Sequence, residues 1–255
     1  DDNIPFPDVL TAKGIVPGIK VDTGTRDLQG FKGEVVTQGL DDLDKRFKEY
    51  YDLGARFAKW RMVITIDDEE LPTEQSIEMN TVMMARYAQL AQAAGIVPIV
   101  EPEVIHAGDH SLSRAEMVTT TVLQVLFQQL QYYKVDLSGL ILKSSMVLAG
   151  DKNNNQTTAE EVAQATLRTF HMSVPHETGG IVFLSGGQNP ERSTQNLNAI
   201  AQMGAQPWPI TYSFSRAIEQ PFLNAWGGKS ENGEKAQAVL LETCKQNSLA
   251  AQGKL

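Results

Sequence analysis

The chain has a single cysteine, Cys244, in 255 residues, so no disulfide can close within it, which suits a reducing compartment. That thiol falls in a late helical segment and reads as structural rather than nucleophilic. Long apolar runs are also missing. No stretch approaches the roughly 18 uninterrupted apolar residues of a membrane helix, and no segment has the make-up of a signal peptide. Basic runs are absent too: 22 Lys and Arg stand against 31 Asp and Glu, a formal charge of −9. Duplex nucleic acid would meet a repulsive field. The expectation is a cytoplasmic protein with neither nucleic acid nor membrane as partner. Any anionic ligand must be caught by a few basic groups placed in a pocket.

What is present is an ordinary globular composition, 42% apolar and 21% charged, at a length natural for one α/β barrel. Apolar, β-branched runs at Ile15–Asp22, Phe57–Ile66, Ile96–Glu103, Leu137–Val147, Gly180–Gly186 and Pro209–Phe214 read as strands. Helical segments fill the intervals. One surrounds Leu40, Leu43, Phe47 and Tyr50. Another carries Ile77, Val82, Met83 and Tyr87 and closes at Gly95. Ser113 with Glu116, and Thr158 with Glu161, have the spacing of capping boxes, and two more helices follow Arg216. Asn153–Asn155 reads as a βα loop.

Sustained β-α alternation implies a parallel sheet, and at this repeat number a closed (β/α)8 TIM barrel is favoured over an open one. No linker or composition shift divides residues 1–255, so one domain is expected. Six strands are visible where such a barrel has eight. The polar, proline-rich opening Asp1–Pro7 reaches the first strand almost at once, so the N-terminal strands are expected to be absent.

Catalytic groups of such barrels gather at the carboxyl ends of the strands. Here the strand ends deliver Lys20 and Asp22, Lys59 and Arg61, Glu101 and Glu103, Lys143, Ser185-Gly186-Gly187, and Tyr212-Ser213-Phe214-Ser215-Arg216. Lys59 and Arg61 are two apart and share a face, as do Glu101 and Glu103. Singly, a strand lysine is usually solvated, paired acids usually cap a turn, and Ser-Gly-Gly is usually just a turn. Their recurrence at corresponding positions of repeated units favours a site.

An ammonium at Lys143, set after Leu140, Ile141 and Leu142 and near another cation such as Lys59, is poorly supported. Both effects favour the neutral amine, which can attack a carbonyl. The resulting iminium is an electron sink that permits cleavage of a nearby carbon–carbon bond, with Glu101 as the acid–base group. The glycines after Ser185 allow backbone N–H groups to close around a phosphate, and Arg216 can grip it through two donors. Lys20 and Arg61 remain for a second anionic group.

The strings that carry this chemistry resemble those of the class I, metal-independent fructose-bisphosphate aldolases. They are Gly18-Ile19-Lys20-Val21-Asp22, Phe57-Ala58-Lys59-Trp60-Arg61, Val97-Pro98-Ile99-Val100-Glu101-Pro102-Glu103, Leu142-Lys143 and Phe183-Leu184-Ser185-Gly186-Gly187-Gln188. Leu197-Asn198-Ala199-Ile200, Ala225-Trp226-Gly227-Gly228-Lys229 and Asn247-Ser248-Leu249-Ala250 extend the match across the chain. The resemblance implies Lys143 as the Schiff-base lysine and Glu101 as its acid–base partner, with Lys59 contacting substrate and supporting proton transfer. It implies one phosphate site at Ser185, Gly186, Ser215 and Arg216, part of another at Lys20, and polar support from Arg61 and Glu103. The activity it implies is reversible cleavage of fructose 1,6-bisphosphate to dihydroxyacetone phosphate and glyceraldehyde 3-phosphate, by a homotetramer with no cofactor or metal.

Ser144-Ser145 stand where animal members commonly have Pro-Asn, and Phe214-Ser215 where many have Tyr-Gly. The family's opening segment, with an aspartate that helps cleave the bond, and its C-terminal tail have no counterpart in the chain. Low activity of the chain alone is therefore expected. Three alternatives stay open: metal-dependent cleavage through His106, His110, His171 or His176, a pyridoxal-phosphate enzyme, and an inactive barrel that binds phosphosugars or a protein.

Overall fold

The structure, a computed structural model, describes residues 4–67 and 69–255. Part of the Asp1–Pro7 opening therefore lies outside the described residues. From Phe6 the chain makes a short helix, α1 (Phe6–Thr11), with Pro5 at its N-cap. Six parallel strands then follow in chain order across one sheet: β1 (Gly18–Lys20), β4 (Phe57–Ile64), β5 (Val97–Val104), β6 (Ile141–Ser144), β7 (Gly180–Phe183) and β8 (Ile210–Tyr212). The connecting helices are α2 (Leu43–Asp52), α3 (Glu74–Ala93), α4 (Leu112–Tyr132), α5 (Ala159–Ser173) and α6 (Pro190–Gln202), with α7 (Arg216–Trp226) and α8 (Gly233–Ala250) after the last strand. This is the α/β alternation of a TIM-type barrel; five of the six strands lie inside their anticipated stretches, and β5 runs one residue past Glu103, to Val104.

The strands divide the work of their two faces. On β4, Ala58, Trp60, Met62 and Ile64 are fully buried against the helices, while Phe57, Lys59, Arg61 and Val63 alternate with them on the inner face. Each fully buried Ile or Met of this layer contributes about 1.5–3 kcal/mol. Tyr87 of α3 stacks on Trp60 with ring centroids 5.5 Å apart. Its hydroxyl donates to the carbonyl of Ala58 at 2.6 Å and approaches that of Ile99 at 3.3 Å, so one side chain spans β4 and β5.

Three features differ from what the sequence pattern suggests. Residues Thr25–Asp27 (β2) and Val35–Thr37 (β3) form an antiparallel hairpin between β1 and α2 that the sequence pattern did not reveal. It is fastened by polar groups from elsewhere. Glu34 accepts hydrogen bonds from the backbone N–H and hydroxyl of Thr73, the N-cap of α3. Buried Asn80 donates to the carbonyl of Val35 and accepts from the N–H of Thr37.

Second, α4 is capped by Ser111, whose hydroxyl accepts from the N–H of Arg114, and not by Ser113. Glu116 is thereby freed to form a two-pronged pair with Arg168 of α5, at 2.8 and 2.9 Å. The box at Thr158 and Glu161 forms as anticipated, with both halves in place. Third, the stretch from Leu137 begins as a single 3-10 turn, Leu137–Gly139, and only Ile141–Ser144 is strand.

Candidate active site

The inner-face groups of β4, β5 and β6 meet at the carboxyl ends of the strands. Register pairs Arg61 with Glu101 and Val63 with Glu103, yet the carboxylates reach back one diagonal step. Oε2 of Glu101 lies 2.6 Å from Nζ of Lys59, and Glu103 takes the Nε–H of Arg61. The other oxygen of Glu101 lies 3.1 Å from Nζ of Lys143. One carboxylate, 6% exposed, is thus shared between ammoniums that are themselves 19% and 12% exposed. A buried charge holds only where it is compensated, and here the three groups compensate one another.

Beyond β7 the chain turns through Gly186 (φ 59°) and Gly187 (φ 86°), backbone that side chains with a Cβ rarely adopt. A Cβ on Gly186 would come within 3.1 Å of Cδ1 of Leu184. Gln188 buttresses this loop: its amide nitrogen donates to the carbonyl of Ser185 and its oxygen accepts from Asn196 of α6. Ser215 opens α7, and its carbonyl accepts from the N–H groups of Ile218 and Glu219. Its hydroxyl lies 3.2 Å from a carboxylate oxygen of Glu219. Arg216 leads that helix, with Nη2 beside Gly187.

These groups enclose a cavity of about 500 Å³ lined by Lys59, Arg61, Glu101, Glu103, Lys143, Ser185, Gly186, Ser215 and Arg216, together with Leu184 and Ser213. Of the ten residues to which the resemblance gives a role, only Lys20 is outside the lining. It stands one strand away, in register with Lys59, its ammonium 2.6 Å from Oδ1 of Asp22. Leu184 and the buttress of Gln188 and Asn196 were not anticipated as site residues, and Ser213 was named only within a strand-end run. A polar residue in a loop or on a helix carries no local mark of such a role.

Ser144 and Ser145 have a definite structural use. The Ser145 hydroxyl donates to the carbonyl of Val104 at 3.1 Å, tying the end of β6 to the end of β5. The four histidines are dispersed. His106 and His110 lie in the loop after β5, where Asp151 accepts from the N–H of Gly108. Burial pushes the His106 imidazole below its ordinary value, opposed by the neighbouring Asp151 carboxylate. His171 and His176 pack against Trp208 at the opposite end of the strands. Among the described residues, no group of three histidine, cysteine or acidic side chains has the arrangement of a metal site.

Comparison with known proteins gives a concordant picture. The family model described as "Glycolytic: Fructose-bisphosphate aldolase class-I" matches residues 1–255. "Probable fructose-bisphosphate aldolase class 1" of Xanthomonas axonopodis pv. citri is 49% identical over 254 residues, 99% of this chain and 76% of that protein. Cytosolic fructose-bisphosphate aldolase 5 of Arabidopsis thaliana is 47% identical over 254 residues, 99% of this chain and 70% of its own. The fructose-bisphosphate aldolase of Plasmodium falciparum, solved in complex with TRAP and a small molecule inhibitor, superposes with a TM-score of 0.97. It is 45% identical, and the match covers 100% of this chain and 74% of that one. With the whole length matched, this chain belongs to the class I fructose-bisphosphate aldolases.

Proposed function

We propose that the cavity cleaves fructose 1,6-bisphosphate reversibly through a Schiff base on Lys143. The observation that carries this reading is the single buried carboxylate of Glu101 held between Lys143 and Lys59. A proton leaving Nζ of Lys143 has an acceptor 3.1 Å away, and the free amine adds to the ketone carbon. Glu101, now protonated, returns its proton to the carbinol oxygen, which departs as water and leaves the iminium. Glu101, again a carboxylate, takes the proton of the hydroxyl two carbons from the iminium carbon, and the bond joining that hydroxyl-bearing carbon to its neighbour nearer the iminium breaks. Its electron pair passes into the iminium, giving an enamine and releasing the aldehyde phosphate. Protonation of the enamine and hydrolysis then release dihydroxyacetone phosphate and restore Lys143.

In this reading Lys59 supports proton transfer and keeps Glu101 oriented. Ser185, Gly186, Ser215 and Arg216 take the phosphate nearest the ketone, through backbone N–H groups, a hydroxyl and a guanidinium. Arg61, steadied by Glu103, and Lys20 take the other. We further propose a homotetramer acting in the cytoplasm without cofactor or metal. The location is supported by the cytosolic name of the Arabidopsis relative.

Borohydride trapping with dihydroxyacetone phosphate, followed by peptide mapping, tests the reading. Label is expected on Lys143, and Lys143→Met should fold yet take no label. Label on another lysine would refute the assignment. Phosphosugar binding with no adduct would favour a non-catalytic barrel instead.

A further inference from the structure

Asp22 is a buried carboxylate that the chemistry above does not use. Its side chain is 3% exposed, yet it sits at the mouth of the barrel between the first two strands. Three donors converge on it. Oδ2 accepts from the backbone N–H of Arg61 at 3.2 Å, Oδ1 accepts from the N–H of Gly24 at 3.3 Å, and Oδ1 lies 2.6 Å from the ammonium of Lys20. Its backbone is confined as well. Gly39 leans so closely that a Cβ there would come within 3.2 Å of Cα of Asp22.

Two of these donors are main-chain groups and cannot move independently of the fold, whereas the Lys20 side chain is 53% exposed. The carboxylate is therefore the fixed member and the ammonium the guided one. Lys20 also donates to the carbonyl of Asp22 at 2.8 Å. An ammonium has three protons, so two are directed at Asp22 and one remains for a ligand. Lys20 pairs in register with Lys59, which puts the two side chains on one face of the sheet. Asp22 meanwhile holds the N–H of Arg61, two residues further along the strand that carries Lys59.

We infer that Asp22 is a positioning residue for the distal anion site: anchored to the backbone of β4, it holds the Lys20 ammonium at a set distance from Arg61 and so favours ligands carrying a second phosphate. This rests on the proposed assignment of Lys20 and Arg61 to the distal phosphate, but not on Schiff-base chemistry at Lys143. A competing effect exists, because a carboxylate beside Lys20 also offsets its charge. If that offset dominated, neutralising Asp22 would improve anion binding. Anchoring by two main-chain donors argues for geometry as the larger effect.

The test is calorimetric binding of hexitol 1,6-bisphosphate and hexitol 1-phosphate, unreactive reduced sugars, to the full chain and to Asp22→Asn. The substitution keeps the shape and one acceptor but removes the charge. Affinity for the bisphosphate is expected to fall about tenfold while that for the monophosphate stays level. A double-mutant cycle separates positioning from folding. In a Lys20→Met background, Asp22→Asn should cost the bisphosphate no more than about twofold. Equal losses for both ligands, an unchanged bisphosphate affinity, or a gain would each overturn the inference. Absence of an adduct at Lys143 would instead defeat the proposed reaction and leave these binding ratios meaningful.

Discussion

Glu101 and Lys143 stand at the next step of the register that pairs Ile99 with Ile141 and Val100 with Leu142, and Oε1 of Glu101 lies 3.1 Å from Nζ of Lys143. The pair is therefore placed by the ladder of two buried strands rather than by a loop. Rigid placement of this kind is what a proton transfer requires, since its rate falls steeply with misalignment.

Glu101→Gln keeps the shape of that side chain and removes its ability to take a proton. Adduct formation with dihydroxyacetone phosphate should slow about 10²–10⁴-fold while far-ultraviolet circular dichroism is unchanged. Trapping kinetics after mixing with borohydride would measure it. A rate equal to the parent's would remove Glu101 from the mechanism.

Arg216→Lys retains a positive charge but loses the planar fork that can hold two phosphate oxygens. Binding of dihydroxyacetone phosphate should weaken about tenfold, and Arg216→Ala should weaken it further. If alanine were tolerated without loss, the phosphate would have to sit elsewhere in the cavity.

Gly186→Ala forces a side chain into backbone with φ of 59° and against Leu184. The expected cost is about 1–2 kcal/mol, read from urea unfolding, together with weaker binding of inorganic phosphate. Full retention of both stability and phosphate binding would show that the loop adapts.

Tyr87→Phe removes the hydroxyl that donates to the carbonyl of Ala58 and leaves the Trp60 stack in place. A loss of about 1 kcal/mol is expected in urea unfolding. The hydroxyl is held protonated by burial, which pushes it well above the ordinary phenol range. No pH dependence should accompany the change between pH 6 and about 9.

Glu161 offers a pH-dependent contribution to helix α5. The N–H of Thr158, and then its hydroxyl, donate to the carboxylate and hold it below its ordinary range. The stability it adds is present above that ordinary range and is lost as the pH falls through the lowered value. Glu161→Ala should therefore be less stable than the parent at neutral pH, with the gap closing in acid. A gap independent of pH would mean that the carboxylate charge plays no part in the cap.

The barrel strands were legible because they fall in apolar runs bracketed by turn residues, and β4 also shows its two faces outright as Ala58, Trp60 and Met62 alternating with Lys59 and Arg61. The ends of those strands exposed most of the cavity lining for the same reason. The hairpin stayed hidden because Thr25–Asp27 is wholly exposed and only three residues long, so no apolar alternation marks it. What fastens it, Asn80 and the bond from Thr73 to Glu34, comes from residues distant in sequence. The start of α4 was misplaced by two residues because Ser111 and Ser113 are chemically equivalent candidates, their hydroxyls 3.0 Å apart. Lys20 and Asp22 were both visible, but nothing local says which of the two is anchored to a neighbouring strand.

The alternation along β4 limits how this segment can change over evolutionary time. Its side chains point in and out with a period of two, so inserting or deleting one residue ahead of Lys59 would turn the ammonium and guanidinium into the helix layer and push Trp60 into the cavity. Substitutions can accumulate there one at a time, but length cannot drift. Insertions and deletions should be tolerated in the loops before Phe57 and after Ile64, and almost never between them.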